Sequence, residues 1–352
     1  MTFSYSDLAD FGWTPFFNSQ LLDDEAETTV PALVVAVHRN GLAVDGPCGG
    51  QTVPQLSGLD DEEAAATVGD WLLLEPETFR PLRRLDRKSL FKRRAAGTGN
   101  RLQLIAANID TLFIVSSCNQ DFNIPRLERY LVLAAEAGVM PVVVLSKTDL
   151  TETPEDFTGP ASQLKPGLLV ETVDARQPDS VACLMPWCGR GQVVALLGSS
   201  GVGKSTLVNS LTGIKGISTQ GVRVDDAKGR HTTTARALHR LPAGGWLLDT
   251  PGMRELQLTD VSAGLDDVFA DVVDLAAQCR FADCVHETEP GCAVQSAIAA
   301  GDLEGTRLKR WQKLLAEDVR NSKSLAERRA GERSFSKMVK SVIKHKSRSR
   351  DS

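Results

Sequence analysis

VVVLSKTDL, residues 142–150, is a β-branched run that closes on a polar turn carrying Lys147 and Asp149. Such a short, unbroken apolar run reads as a strand buried on both faces. A carboxylate in the turn can accept from guanine N1–H and the exocyclic N2–H₂ together, a donor pair that adenine lacks. Ser146, Lys147, Thr148 and Asp149 are therefore the candidate base-reading residues, with the Lys147 stem free to pack along a nucleotide. Alone, SKTD is a motif that arises by chance. Its meaning depends on what else the chain holds, and in what order.

Further along, GSSGVGKS (198–205) fits G-x-x-x-x-G-K-[ST] at every fixed position, after the apolar run VVALL and before STLVNSL. Gly198, Ser199, Ser200, Gly201, Val202 and Gly203 form a loop whose backbone N–H groups can curl around phosphate oxygens. Lys204 should reach the β- and γ-phosphates, and Ser205 should ligate Mg²⁺. LLDTPG places Asp249 at a strand end 51 residues after Gly198, where a carboxylate touches the Mg²⁺ shell, with Gly252 near the γ-phosphate. Between them GRHTTT (229–234) supplies Thr233 as a second Mg²⁺ contact, in a polar stretch that the γ-phosphate can order. A threonine run by itself is more often an ordinary loop; its place between these two motifs favours a switch.

The order is permuted: base-reading loop first, phosphate loop second, DTPG last. Strand neighbours, not chain ends, define a sheet, so the same core can still assemble. The texture agrees. LIAANIDTLFIVSSC reads as a strand, PRLERYLVLAAEAG as an amphipathic helix and MPVVVLSKTDL as a strand, an alternation that predicts a parallel α/β sheet. Before it, PALVVAV, LAV, TV and VGDWLLLE are short β-type runs punctuated by Gly, Pro and Asp. They suit a small five-stranded barrel of the OB kind.

Seven cysteines are an odd number, and Cys48, Cys118, Cys183 and Cys188 are scattered like small buried hydrophobes. The other three belong to CRFADCVHETEPGC, which sets Cys279, Cys284, His286 and Cys292 in the spacing C-x₄-C-x-H-x₅-C. Three thiolates and one imidazole suit a closed, tetrahedral, structural Zn²⁺. The bland alternative is three reduced cysteines in a helical unit.

The net charge of −5 hides an asymmetry: residues 307–352 hold 15 of the 40 Lys and Arg but 5 of the 45 acids, leaving −15 on the rest. RPLRRLDRKSLFKRR (80–94) adds eight bases against one acid. A single basic run is usually a solvated face, but two in an acidic chain point to a polyanionic partner such as nucleic acid. Neither a membrane-length apolar run nor a signal peptide is present, so a cytoplasmic location is expected.

Together these motifs resemble the ribosome small subunit-dependent GTPase A (RsgA) family. The likeness runs through FGWTPFF (11–17), DFNIPRLERYLVLAAEAGVMPVVVLSKTDL, GSSGVGKSTLVN, GRHTTTARALHRL, DTPGMREL and CRFADCVHETEPGC. It implies an N-terminal OB-fold barrel, a circularly permuted P-loop GTPase core and a C-terminal, mostly helical zinc-binding domain. The expected division is an extension over 1–30, the barrel over 31–98, the GTPase core over 99–262, the zinc domain over 263–320 and a basic, disordered tail over 321–352. The resemblance also implies GTP/GDP, Mg²⁺ and one structural Zn²⁺, and GTP hydrolysis stimulated by the small ribosomal subunit late in its maturation. Contact with that subunit's rRNA and a monomeric state are expected. The chain departs from the family's usual Asn at Ser146, and ETVDA (171–175) is the nearest match to the last base-contacting loop.

Many GTPases place Gln after DxxG to orient the attacking water. Here Met253 follows Gly252, and a thioether cannot do this, so slow intrinsic turnover is expected. His231, in the switch stretch, is the catalytic candidate beside Lys204; its bland reading is an exposed loop histidine. Two other readings compete. One is an RNA-binding assembly factor using GTP and GDP as a conformational latch, with incidental hydrolysis. The other, an ATP-using P-loop enzyme, is disfavoured by Lys147 and Asp149.

Overall fold

Trp13 and Phe17, from the FGWTPFF run, are buried against Trp71, with ring centroids 4.9 and 6.0 Å from it. This aromatic knot joins the short helices α1 (Tyr5–Ala9), α2 (Pro15–Asn18) and α3 (Glu25–Thr28) to a five-stranded antiparallel unit. The structure is a computed structural model and describes residues 5–56, 62–94, 102–213, 237–249, 258 and 260–322. The five strands are β1 (Val30–His38), β2 (Gly41–Asp45), β3 (Gln51–Val53), β4 (Trp71–Leu74) and β5 (Pro81–Arg84), in the order β5-β4-β1-β2-β3. Alternate residues serve two cores. Ala32, Val34, Leu72 and Leu74 face one, while Leu33, Trp71 and Leu73 face the core shared with the rest of the chain.

β6 (Leu90–Arg94) and β7 (Leu102–Ala107) form a separate antiparallel pair, so the expected 98/99 division lies between two paired strands. LIAANIDTLFIVSSC is two strands rather than the one expected. Asn108 breaks it with a left-handed φ of 55°. Its side chain donates to the Gly69 carbonyl and accepts from Lys88 N, each at 2.8 Å, which holds the break in place.

The α/β part then runs β8 (Thr111–Ser117), α4 (Ile124–Glu136), β9 (Met140–Ser146), α5 (Glu155–Ser162), β10 (Leu169–Val173), α6 (Pro178–Val181), β11 (Val193–Gly198), α7 (Lys204–Thr212), β12 (Ala237–Arg240) and β13 (Trp246–Asp249). Its strand order is β10-β9-β8-β11-β13-β12. The first five are parallel, and β12 runs antiparallel to β13. All five parallel strands therefore end on one edge, where α/β sheets bind their ligands. β12 also pairs with β1, Ala237 opposite Ala36, which joins this sheet to the five N-terminal strands.

The last described segment is helical: α8 (Ser262–Val268), α9 (Ala270–Ala276), α10 (Ala293–Ala300) and α11 (Gly305–Ser322). It docks on α4 by close packing of α8, where a Cβ on Gly264 would meet the Val132 carbonyl at 2.4 Å, and by charge. Glu128 of α4 is 0% exposed and pairs with Arg307 at 3.0 Å and Arg310 at 2.7 Å, both on α11. Burial pushes the Glu128 carboxyl above its ordinary range, against the pull of the two guanidinium groups. Next to it, Arg129 grips both carboxylate oxygens of Glu317 at 2.6 and 2.7 Å. Among the described residues, no helix is long and apolar enough to cross a membrane.

Candidate nucleotide site and metal centre

β11 delivers the phosphate loop to the edge of the sheet between β8 and β13. Gly198 lies so close to β8 that a Cβ there would meet the Val115 carbonyl at 2.3 Å. Gly203 takes φ 94°, a turn open to glycine, and α7 starts at the next residue. The helix thus points its first N–H groups at the loop mouth. Lys204 is 8% exposed, and its Nζ donates to the Gly198 carbonyl at 2.9 Å and to the Ser199 carbonyl. That folds its charge across the loop, where phosphate oxygens would sit.

α4 also touches this loop. Its N-cap Asn123 accepts from Arg126 N at 2.9 Å, which sets Arg126 in the first turn, and Arg126 Nη1 donates to Ser199 Oγ at 3.0 Å. Sequence reasoning passed over Arg126, which stands 73 positions from Ser199 and meets it through strand order alone.

Ser146 ends β9 and is 0% exposed. Its Oγ lies 2.9 Å from the Ser116 carbonyl and 2.5 Å from the Val202 carbonyl. The side chain expected among the base-reading residues therefore ties strand β8 and the phosphate loop to the SKTD turn, and presents no open face to a base. Lys147 adopts φ 58°, ψ 39°, which turns the chain at once into the 3-10 segment Thr148–Leu150. Asp149 reaches the surface with its side chain 29% exposed.

The segment expected to hold the last base-contacting loop, ETVDA, lies beside it. Val173 at the end of β10 is opposite Ser146 in register, so ETVDA is carried to the SKTD turn. The next residue, Arg176, contacts Asp149 Oδ2 through Nη2 at 2.8 Å and grips Asp174 with two contacts at 3.0 Å. Those hydrogen bonds from Arg176 hold the Asp174 carboxyl below the ordinary carboxylate range. Beneath the loop, the Ala175 carbonyl accepts from Ser210 Oγ of α7 at 2.5 Å, and Asp174 N donates to Ser180 Oγ at 2.9 Å. One short rim thus carries the phosphate loop, SKTD and the segment 174–176.

The backbone of Asp249 closes β13, next to β11 in the sheet. Its side chain, His231, Thr233, Gly252 and Met253 lie outside the described residues, as does the tail from 323 to 352.

The Arg80–Arg94 run is less free than its composition suggests. Arg83 pairs with Glu25, Arg87 with Asp70, Lys88 with Asp110 and Lys92 with Glu63. Much of this charge is paired within the protein. Arg307 and Arg310 are likewise turned inward, onto Glu128.

The metal-ligand spacing closes in space. One atom each from Cys279, Cys284, His286 and Cys292 lies within 4.8 Å of the others. A tetrahedral Zn²⁺ requires about 3.8 Å between two sulfurs and about 3.6 Å from sulfur to nitrogen, given its usual bond lengths. Cys279 and Cys292 sulfurs stand 3.8 Å apart, and each is 3.6 Å from His286 Nδ1. The donor set therefore fits zinc. Protein contacts shape the loop as well: Glu289 accepts from Val285 N, Glu287 N and Thr288 N at 2.9, 2.9 and 3.1 Å. Elsewhere burial pushes the Cys118 thiol up to about 11 and the Cys188 thiol up to about 12, as expected of inert core cysteines.

Known proteins share this fold. The RsgA GTPase family profile matches residues 84–259. The small ribosomal subunit biogenesis GTPase RsgA 2 of Vibrio parahaemolyticus is 51% identical over 96% of this chain and 93% of its own. The small ribosomal subunit biogenesis GTPase RsgA of Mesorhizobium japonicum is 50% identical over 92% of this chain and 93% of its own. Among solved structures, YjeQ from Thermotoga maritima superposes with a TM-score of 0.61 at 23% identity, over 82% of this chain and 98% of that one. YloQ, described as a circularly permuted GTPase, gives 0.58 at 19% identity over 83% of this chain and 95% of that one, so the permuted fold is shared. With half its sequence retained across nearly the full length of these relatives, the chain belongs to the RsgA GTPase family.

Proposed function

We propose that this chain hydrolyses GTP to GDP and phosphate on the small ribosomal subunit, late in that subunit's maturation. The observation that carries the reading is the convergence of GSSGVGKS, SKTD and residues 174–176 on one edge of five parallel strands, in permuted chain order. Relatives about half identical over most of their length are named small ribosomal subunit biogenesis GTPases, which supports the partner.

In this reading the loop amides of 198–205 and Lys204 hold the phosphates, and Asp149 reads guanine. Ser205 and Thr233 would hold Mg²⁺, with Asp249 on its water shell, and the ion supplies charge neutralisation at the β- and γ-phosphates. A water oxygen bonds to the γ-phosphorus in line, the bond to the β-phosphate oxygen breaks, and GDP leaves with that electron pair. The water's proton passes to phosphate or solvent. His231 orients the water when the subunit is bound, and Lys204 stabilises the charge that develops. The five N-terminal strands are an open OB barrel, and Cys279, Cys284, His286 and Cys292 carry one structural zinc that keeps the C-terminal helices together. The chain acts as a monomer in the cytoplasm, and its basic segments contact rRNA.

Release of phosphate from GTP, measured with and without purified small subunits, tests this. Strong stimulation is the expected result. Unchanged hydrolysis beside nucleotide-dependent binding would replace the enzyme with the latch.

A further inference from the structure

We infer that Arg176 competes with guanine for Asp149, and so sets how tightly and how fast the base site takes its nucleotide. The inference rests on Asp149 being the base-reading carboxylate.

The edge of guanine that a carboxylate reads, N1–H with the N2 amine around C2, is itself a guanidine unit. Arginine ends in the same planar group, with a full charge. A carboxylate placed to read one will therefore bind the other. In this chain the other is at hand: Arg176 Nη2 lies 2.8 Å from Asp149 Oδ2. A nucleotide presenting N1–H and N2–H to Asp149 must take that oxygen from Arg176.

Asp174 makes the exchange cheap. It holds Arg176 through Nε and Nη2 at 3.0 Å each, so the guanidinium keeps a carboxylate partner after Asp149 is taken. Because Arg176 is 61% exposed, solvent and salt screen the pair it makes with Asp149. The competition is therefore a graded tax on affinity, not a lock.

The size follows from exposed ion pairs in general: removing Arg176 should tighten nucleotide binding about two- to fivefold. The gain should be the same for GDP and for a non-hydrolysable GTP analogue, because it arises at the base. It should shrink as salt rises.

The experiment is calorimetric titration of both nucleotides into the full-length parent, Arg176→Ala, Asp149→Asn and the double variant, at low and high salt. Tighter binding by Arg176→Ala that disappears on the Asp149→Asn background supports the inference. For that background the probe is xanthosine diphosphate, whose affinity should not respond to Arg176→Ala. Weaker or unchanged GDP binding by Arg176→Ala overturns the inference, since Arg176 would then support the base or do nothing to it. A gain that persists without Asp149 also overturns it. If Asp149→Asn alone binds GDP as well as the parent, the base-site reading itself falls, an outcome separate from these.

Discussion

The candidate metal cluster and the candidate nucleotide site are built on opposite plans. Four ligands within 14 residues make the first, and a single loop with the start of α10 brings them together. The second draws on the ends of β9, β10 and β11, residues that meet because a sheet places those strands near one another. A local site states its chemistry in its spacing. A distributed site states its parts, and leaves their relation to topology. That is why a chain can be reordered around the nucleotide site without losing it, while the cysteine cluster travels as a unit.

The widest test of this contrast is removal of the metal. Structural zinc contributes on the order of 10 kcal/mol in small metal domains, more than helices of this size can replace. Cys284→Ser, or a strong chelator, should unfold residues 260–322 while nucleotide affinity stays within about twofold of the parent. Metal analysis, amide exchange and calorimetry together measure it. A chain purified without chelators that holds no zinc, or whose nucleotide binding collapses with the helices, would break the separation.

Glu128 tests the joint between the two regions. Glu128→Gln leaves Arg307 and Arg310 partly buried beside a neutral amide, and breaking such a buried arrangement costs about 3–5 kcal/mol. The expected result is a lower Tm, with amide protection lost first in α11. Unchanged protection there would mean that apolar contacts alone hold α11 to α4.

Within the nucleotide site, Asp149→Asn should cost about 1.5–3 kcal/mol, the usual worth of a hydrogen bond to a charged group, or roughly ten- to two-hundredfold in GTP affinity. Xanthosine triphosphate, with a carbonyl where guanine has its amine, should gain in relative terms. Equal GTP affinity and indifference to xanthosine would dissolve the base-site assignment. The smallest effect belongs to Ser146→Ala. Losing one buried hydroxyl that faces two carbonyls should weaken nucleotide binding through loop position, by about 0.5–1.5 kcal/mol. Because the hydroxyl is buried against two backbone carbonyls, GDP and xanthosine diphosphate should weaken alike.

Sequence made the separate parts legible: the phosphate loop, SKTD, the metal cluster and their permuted order. Each is a run whose chemistry depends on near neighbours. What it hid were relations across the sheet. Ser146 looked like a weakened base reader because its role depends on the Val202 carbonyl, 56 positions away. Arg176 followed a motif too faint to stand alone, and its partner Asp149 sits in the turn after a different strand, β9. The single strand read from LIAANIDTLFIVSSC failed for a local reason: Asn108 tolerates the left-handed conformation that most residues avoid. The basic run from Arg80 is partly paired within the fold, which composition does not show because it counts charges without their partners.

The pairing of β12 with β1 bears on solubility. β12 is the last strand of the α/β sheet, and without β1 its outer backbone groups would face water as an open antiparallel edge. Such edges recruit strands from other molecules. The N-terminal strands cover this one, and Arg240 of β12 reinforces the cover by donating to the Asp10 carbonyl at 2.8 Å while lying over the rings of Phe11 and Trp246. The N-terminal strands are thus a stopper as well as a module: a chain trimmed back to its α/β core would keep GSSGVGKS and SKTD and expose the edge that invites aggregation.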